Sequence, residues 1–294
     1  IDASNMHMIF TGNPGTGKTT VARIMAKMLF DLGIVKENKL IEVERKDLIA
    51  KYVGQTASKT AEVIDKAMGG VLFIDEAYSL AIGSGGTYDY GAEAVATLIK
   101  AMEDHKDNLV VIFAGYRNEM KKFTDMNPGI ASRIGYTFDF PDYSVDNLID
   151  IFNLKLNNSG FEYEKNTEIP LRRLCEYFSR RKNFGNGRFI NKVIQETLMK
   201  HALSSSDNIK LIRQSDIPSI EELNQNIYKN NNQETAEEML NNLIGMESIK
   251  KQLIQFKEYA DFVKKAENEK MSIPNVNMHM IFTGNPGTGK TTVA

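Results

Sequence analysis

The sequence predicts an α/β fold: a parallel sheet flanked by helices, followed by a small all-helical domain. Three observations carry this reading. Short runs of consecutive apolar residues alternate with stretches whose apolar residues fall at helical spacing. A glycine-rich turn joins the first such run to the first such helix. Beyond Pro141 the apolar runs cease and only helical spacing continues.

The elements follow in order. Met8-Ile9-Phe10 is a short strand ending in the glycine-rich turn. Val21, Ile24, Met25, Met28 and Leu29 form a helical face, and Gly33 stands where a C-cap would. Ile41–Val43 reads as a second strand. Thr56 to Met68 is helical, with Val63, Ile64, Ala67 and Met68 on one face. Val71–Ile74 is apolar throughout, as expected of a strand buried on both sides. Ala94, Leu98, Ile99 and Met102 mark the next helix, and Leu109–Phe113 and Thr137–Phe140 the last two strands. Three further helices follow: Leu148–Leu156, Leu171–Phe178 with Pro170 near its start, and Phe189–Leu198. Residues 224–235 are polar and rich in Asn, as in a linker, and Ala236 to Lys270 is again helical.

One internal repeat organises the chain. Asn5 to Ala22 reads NMHMIFTGNPGTGKTTVA, and Asn277 to Ala294 repeats it residue for residue. The expected division is therefore an α/β core over 1–141, a helical lid over 142–218, a linker over 219–236 and the start of a second module over 237–294. On this reading the sequence begins inside one module and ends inside the next.

Composition sets bounds on function. Apolar residues make up 42% and charged residues 25%, ordinary values for a globular chain. Thirty-six Lys and Arg against 38 Asp and Glu leave a net charge of -2, with no general pull toward nucleic acid or an anionic membrane. The single Cys175 cannot pair within the chain, and a cytoplasmic location is expected. No apolar run reaches the ~20 residues that span a bilayer. No His, Cys, Asp and Glu spacing suggests zinc.

Gly12-Asn13-Pro14-Gly15-Thr16-Gly17-Lys18-Thr19 fits G-x-x-x-x-G-K-[ST], between a strand and a helix. Glycines let the backbone curl so that several N–H groups point at one phosphate, and the helix N-terminus adds partial positive charge. Lys18 would neutralise the β and γ phosphates, Thr19 would hold Mg²⁺, and Thr20 continues the loop. The second copy of this loop lies at Gly284 to Thr291. Val71-Leu72-Phe73-Ile74 then delivers Asp75 and Glu76 at a strand end. Asp75 would hold Mg²⁺ through water and Glu76 would act as general base. Two exposed carboxylates closing a strand is the bland alternative, and the upstream loop argues against it.

With these motifs the sequence resembles the AAA+ ATPases, a family of P-loop NTPases. Tyr52-Val53-Gly54-Gln-Thr, NPGIASRI and FPDYS resemble its CbxX/CfqX branch, which includes red-type Rubisco activase and stage V sporulation protein K. The resemblance covers about Met6 to Ala202 and resumes at about Leu243. It implies ATP and Mg²⁺ as cofactors and a hexameric ring in the complete protein. It implies a pore loop at Tyr52, Val53 and Gly54 that grips a polypeptide; core packing of Tyr52 is the alternative. It implies that Arg133 is an arginine finger acting on a neighbouring subunit, and that Arg188 is a lid residue reaching the nucleotide. A salt bridge is the alternative for each. One departure concerns Tyr116, which stands where many relatives carry Asn; its hydroxyl, or Asn118, could fill that role.

The function expected is an ATPase that threads or remodels a client protein, with no nucleic acid and no membrane. The alternatives are a small-molecule kinase, which would need an acceptor pocket, and a nucleotide-gated scaffold, against which Glu76 argues.

Overall fold

A computed structural model of the chain describes residues 6–50, 52, 54–81, 90–181, 184–204 and 208–225, and beyond them 252, 255, 256, 258, 259, 262 and 263. The second phosphate-loop copy, Val53 and most of 237–294 lie outside the described residues. The chain divides into two compact units, Ile1–Asp142 and Tyr143–Ala294.

The first unit alternates strands and helices as the apolar pattern requires. Its elements are β1 His7–Gly12, α1 Lys18–Asp31, β2 Leu40–Val43, α2 Arg45–Leu48, α3 Thr56–Ala67, β3 Val71–Ile74, α4 Tyr90–Asp104, β4 Val110–Gly115, α5 Arg117–Met126, α6 Pro128–Ala131 and β5 Ile134–Phe140. The strands form one sheet in the order β2-β3-β4-β1-β5, and every pairing is parallel.

Side chains alternate across a strand, so β3 and β4 feed two cores. Val71, Phe73, Val110 and Ile112 join Met8 and Phe10 under α1. Leu72, Ile74, Val111 and Phe113 join Ile9 and residues of α3, α4 and α5 on the other face. That double burial explains why these strands read as unbroken apolar runs. Each fully buried Phe, Leu or Ile among them contributes about 1.5–3 kcal/mol. β5 is an edge strand with Tyr136 and Phe138 exposed. His7 is buried in β1. Its Nδ1 accepts from the Val111 N–H at 3.0 Å and its Nε2 faces the Met102 carbonyl at 3.2 Å.

The second unit packs α7 Val145–Asn158, α8 Glu168–Ser179, α9 Gly187–Leu203 and α10 Ile220–Gln225, with a two-stranded pairing of β6 Glu162–Tyr163 and β7 Leu211–Ile212. Ser144 starts α7: its hydroxyl accepts from the Asn147 N–H at 3.2 Å, a reciprocal cap. Cys175 is buried in this core, and desolvation pushes its thiol up to about 12. The linker expected from residue 219 begins later. Residues 220–225 are helical because Leu223 buries an apolar side chain in the lid core, and Ser219 caps the turn by accepting from the Glu222 N–H at 3.2 Å. Tyr259 and Phe262, from the stretch expected to open the next module, are buried in the same core. The Phe262 ring lies 6.1 Å from Phe161 and 5.8 Å from His201.

Candidate nucleotide site

In a parallel sheet all C-terminal strand ends share one edge. Here β4 lies between β3 and β1, so the glycine-rich loop after β1, the Asp75-Glu76 pair after β3 and Tyr116 after β4 leave that edge side by side.

The loop is shaped by its glycines and closed by its own hydrogen bonds. Gly12 has φ 153°, and a Cβ there would stand 2.3 Å from the Phe140 carbonyl oxygen, so only glycine lets β1 run this close to β5. Gly17, at φ 90°, turns the chain into α1. The Lys18 ammonium donates to the Gly12 carbonyl at 2.7 Å and the Asn13 carbonyl at 2.8 Å. The buried Thr16 donates its hydroxyl to the Asn13 carbonyl at 2.9 Å. Asn13 donates its amide to both carboxylate oxygens of Asp142, each at 3.0 Å. The 14-residue α1 follows, with Thr19 and Thr20 in its first turn. Its free N–H groups and dipole favour an anion at this end.

Asp75 is half-buried and Glu76 exposed. Glu76 takes the left-handed φ of 47°, rare for a residue with a side chain. Its N–H donates to Asp75 Oδ1 at 2.9 Å, and its carbonyl accepts from the Ser79 N–H at 2.8 Å. The Tyr78 hydroxyl bonds the Glu76 carboxylate. Tyr116 contributes its ring, 5.7 Å from that of Tyr78, while Asn118 is exposed on α5.

Among the described residues no cluster of three or more His, Cys, Asp or Glu side chains could hold a metal ion. The oxygens available here are the Thr19 hydroxyl and the Asp75 carboxylate. So small a set of hard ligands fits Mg²⁺, which keeps its own waters and phosphate oxygens, and does not fit an all-protein cage.

The remaining expected residues are placed as follows. Tyr52 is 70% exposed, so it is not a core residue. Gly54 beside it has φ 77°. Arg133 is 27% exposed and tied within its own chain: it pairs with Glu103 at 2.8 Å and donates to the Gly129 carbonyl at 2.9 Å. Its Nε is buried with no partner. Arg188 is exposed in the first turn of α9, in the second unit.

Sequence reasoning passed over several contributors. Arg117 pairs with Asp139, whose carboxylate also accepts from Thr11 at 2.9 Å, tying β4, β5 and β1 together beside the loop. Hydrogen bonds from Arg117 and Thr11 hold the Asp139 carboxyl below its usual range. In the second unit Asn186, buried at φ 47°, accepts the Tyr143 N–H at 2.9 Å. The Gly185-Asn-Gly spelling is the sole trace of it in the sequence.

Residues 8–141 match the ATPase family associated with various cellular activities (AAA), and residues 144–227 match the AAA lid domain. Stage V sporulation protein K of Bacillus subtilis (strain 168) is 44% identical over 204 residues, 67% of this chain and 62% of that protein. The chain therefore spans less than two thirds of that relative's length. A CfxQ homolog of Guillardia theta is 43% identical over 219 residues, 74% of each chain. Among solved structures, the Thermotoga maritima RuvB Holliday junction branch migration motor aligns with a TM-score of 0.52 and 19% identity, covering 71% of this chain and 59% of that one. That likeness concerns the fold alone.

Proposed function

The chain belongs to the AAA ATPases and, within them, to the CbxX/CfqX branch, and from that premise we propose that it couples ATP hydrolysis to remodelling of a client polypeptide. The observation that carries this is the shared sheet edge. A loop whose glycines and carbonyls are already arranged for a phosphate stands one strand away from Glu76, a carboxylate on a fixed turn.

The steps follow from the chain's own groups. The Gly12–Lys18 backbone and the α1 N-terminus bind phosphate oxygens. Lys18, held now by the loop's carbonyls, supplies the cation there. Thr19 and Asp75 would hold Mg²⁺, which when bound neutralises charge on the phosphate oxygens. Glu76 orients the attacking water and takes its proton. Arg133, released from Glu103, stabilises transition-state charge in a neighbouring subunit of a ring, and Arg188 contributes from the lid. Tyr52, Val53 and Gly54 grip the client. The exposure of Tyr52 supports that role, since an aromatic side chain left in water is available to another chain. The net charge of -2 favours a protein client over nucleic acid.

The test is Glu76→Gln. It removes the base and leaves the phosphate loop and the Mg²⁺ ligands intact, so ATP affinity should stay within about twofold while turnover falls by about 10²-fold or more. Nucleotide binding measured beside steady-state hydrolysis gives the answer, and unchanged turnover ends the assignment.

A further inference from the structure

Glu76 has an attendant that the motifs do not name. Tyr78 lies in the 3-10 turn Ala77–Ala81 that follows Glu76. Its ring crosses the end of β4 at Gly115: a Cβ there would come within 2.7 Å of Tyr78 Cδ1 and 2.8 Å of Met120 Sδ. The space for the ring exists because residue 115 has no side chain. On its other side the Tyr116 ring closes in at 5.7 Å, tilted by 42°. The ring is thus wedged between two consecutive residues of one chain segment, and its hydroxyl reaches the Glu76 carboxylate. Burial, and then the negative charge of Glu76, push the Tyr78 hydroxyl well above its ordinary value, so at working pH it only donates.

This arrangement answers a mechanical problem. Glu76 is exposed, and a solvated glutamate samples many rotamers. Its left-handed backbone fixes where the side chain starts but not where the carboxylate ends. A single donor on a clamped ring fixes the second point.

We propose that Tyr78 is the positioning residue for Glu76, held by Gly115 and Tyr116 so that the carboxylate keeps the orientation in which it accepts a proton from the attacking water. Tyr78 keeps its own proton throughout; the water's proton goes to Glu76. The inference rests on the reading of Glu76 as the base. It also gives Tyr116 a task different from touching the water: it backs the residue that does the holding.

The experiment is steady-state ATP hydrolysis by the full chain as Tyr78→Phe, Gly115→Ala and Glu76→Gln. Tyr78→Phe keeps the ring and removes only the hydroxyl. Its kcat should fall about tenfold with the KM for ATP unchanged, the size expected for one hydrogen bond to a charged group. The acid limb of its kcat profile should move to higher pH, because the carboxylate has lost a donor that favoured its charged form. Gly115→Ala pushes the ring off its seat and should lower kcat likewise, with ATP affinity retained. If Glu76→Gln is inactive while Tyr78→Phe keeps wild-type kcat and acid limb, the role of Tyr78 is refuted and the base stands. A fall in kcat with an unmoved acid limb assigns Tyr78 to packing alone and overturns the proposal. Normal turnover by Glu76→Gln removes the base itself, and this inference with it.

Discussion

The phosphate loop and the residue Tyr52 belong to the same unit, yet they are built on opposite plans. In the loop every polar group is occupied by the loop's own chain: Lys18 by two carbonyls, Thr16 by another, Asn13 by Asp142. Tyr52 stands 70% exposed beside a left-handed glycine. The difference follows from what each is proposed to meet. A phosphate is small and fixed in shape, so a cradle arranged beforehand avoids ordering entropy on binding. A client polypeptide has no fixed shape, and a bulky side chain held in the open suits it better. Arg133 falls between the two: it is a charged group already committed, to Glu103, that the proposed mechanism needs elsewhere.

The comparison breaks most sharply at Arg133. Arg133→Ala should lower turnover about 10³-fold if it stabilises transition-state charge in a neighbour. Stability should change by no more than about 1 kcal/mol, because the Glu103 pair is partly exposed. Mixing Arg133→Ala with Glu76→Gln chains should restore part of the activity, since one interface can then pair an intact finger with an intact base. Hydrolysis by the mixture no faster than by either variant alone would place Arg133 on the intramolecular side.

Tyr52→Ala comes next in size. It should leave basal hydrolysis within a few fold and the melting temperature almost unmoved, as for surface substitutions within about ±0.5 kcal/mol. Client-stimulated turnover should be lost, and Tyr52→Phe should keep it. A melting temperature lowered by many degrees would contradict the exposed position.

The smallest effect separates the two units by pH. Burial lowers His7, with the Met102 carbonyl opposing and the Arg133 charge assisting. A histidine lowered in the fold is neutral there, so its contribution is full above the unfolded value of 6.5 and is lost as pH falls below it. Asp216 in the lid behaves differently. Burial would raise it, but hydrogen bonds from His201 at 2.9 Å and from the Arg213 N–H at 2.8 Å outweigh that and hold it low. Its contribution persists above 3.8 and is lost only as pH falls through that value toward the lowered one. Thermal melts between pH 7.5 and 5 should therefore weaken the first unit before the lid, by at most about 1.4 kcal/mol per pH unit. In His7→Gln that slope should flatten.

Much of the fold was legible because double burial writes itself as uninterrupted apolar runs, as in Val71–Ile74 and Val110–Gly115. The loop and the Asp75-Glu76 pair were legible because their chemistry demands particular residues at fixed spacing. Arg133's tie to Glu103 was not, since a surface ion pair between α4 and the turn after α6 leaves no periodicity. Nor was Tyr78. A tyrosine two residues past a strand reads as ordinary packing until the glycine at the end of the neighbouring strand is seen to make room for it. The short helix at 220–225 was hidden by the polar stretch that follows it, where one buried Leu223 decides the matter.

The burial of Tyr259 and Phe262 against Phe161 and His201 has a consequence for biosynthesis. The lid is discontinuous in sequence: the residues that finish its core are translated well after the helices they cover. At roughly 5–20 residues per second, the stretch from His201 to Tyr259 takes about 3–12 s to emerge. Throughout that interval the first unit already has its whole sheet, while the lid still shows the ribosome's surroundings an open aromatic face.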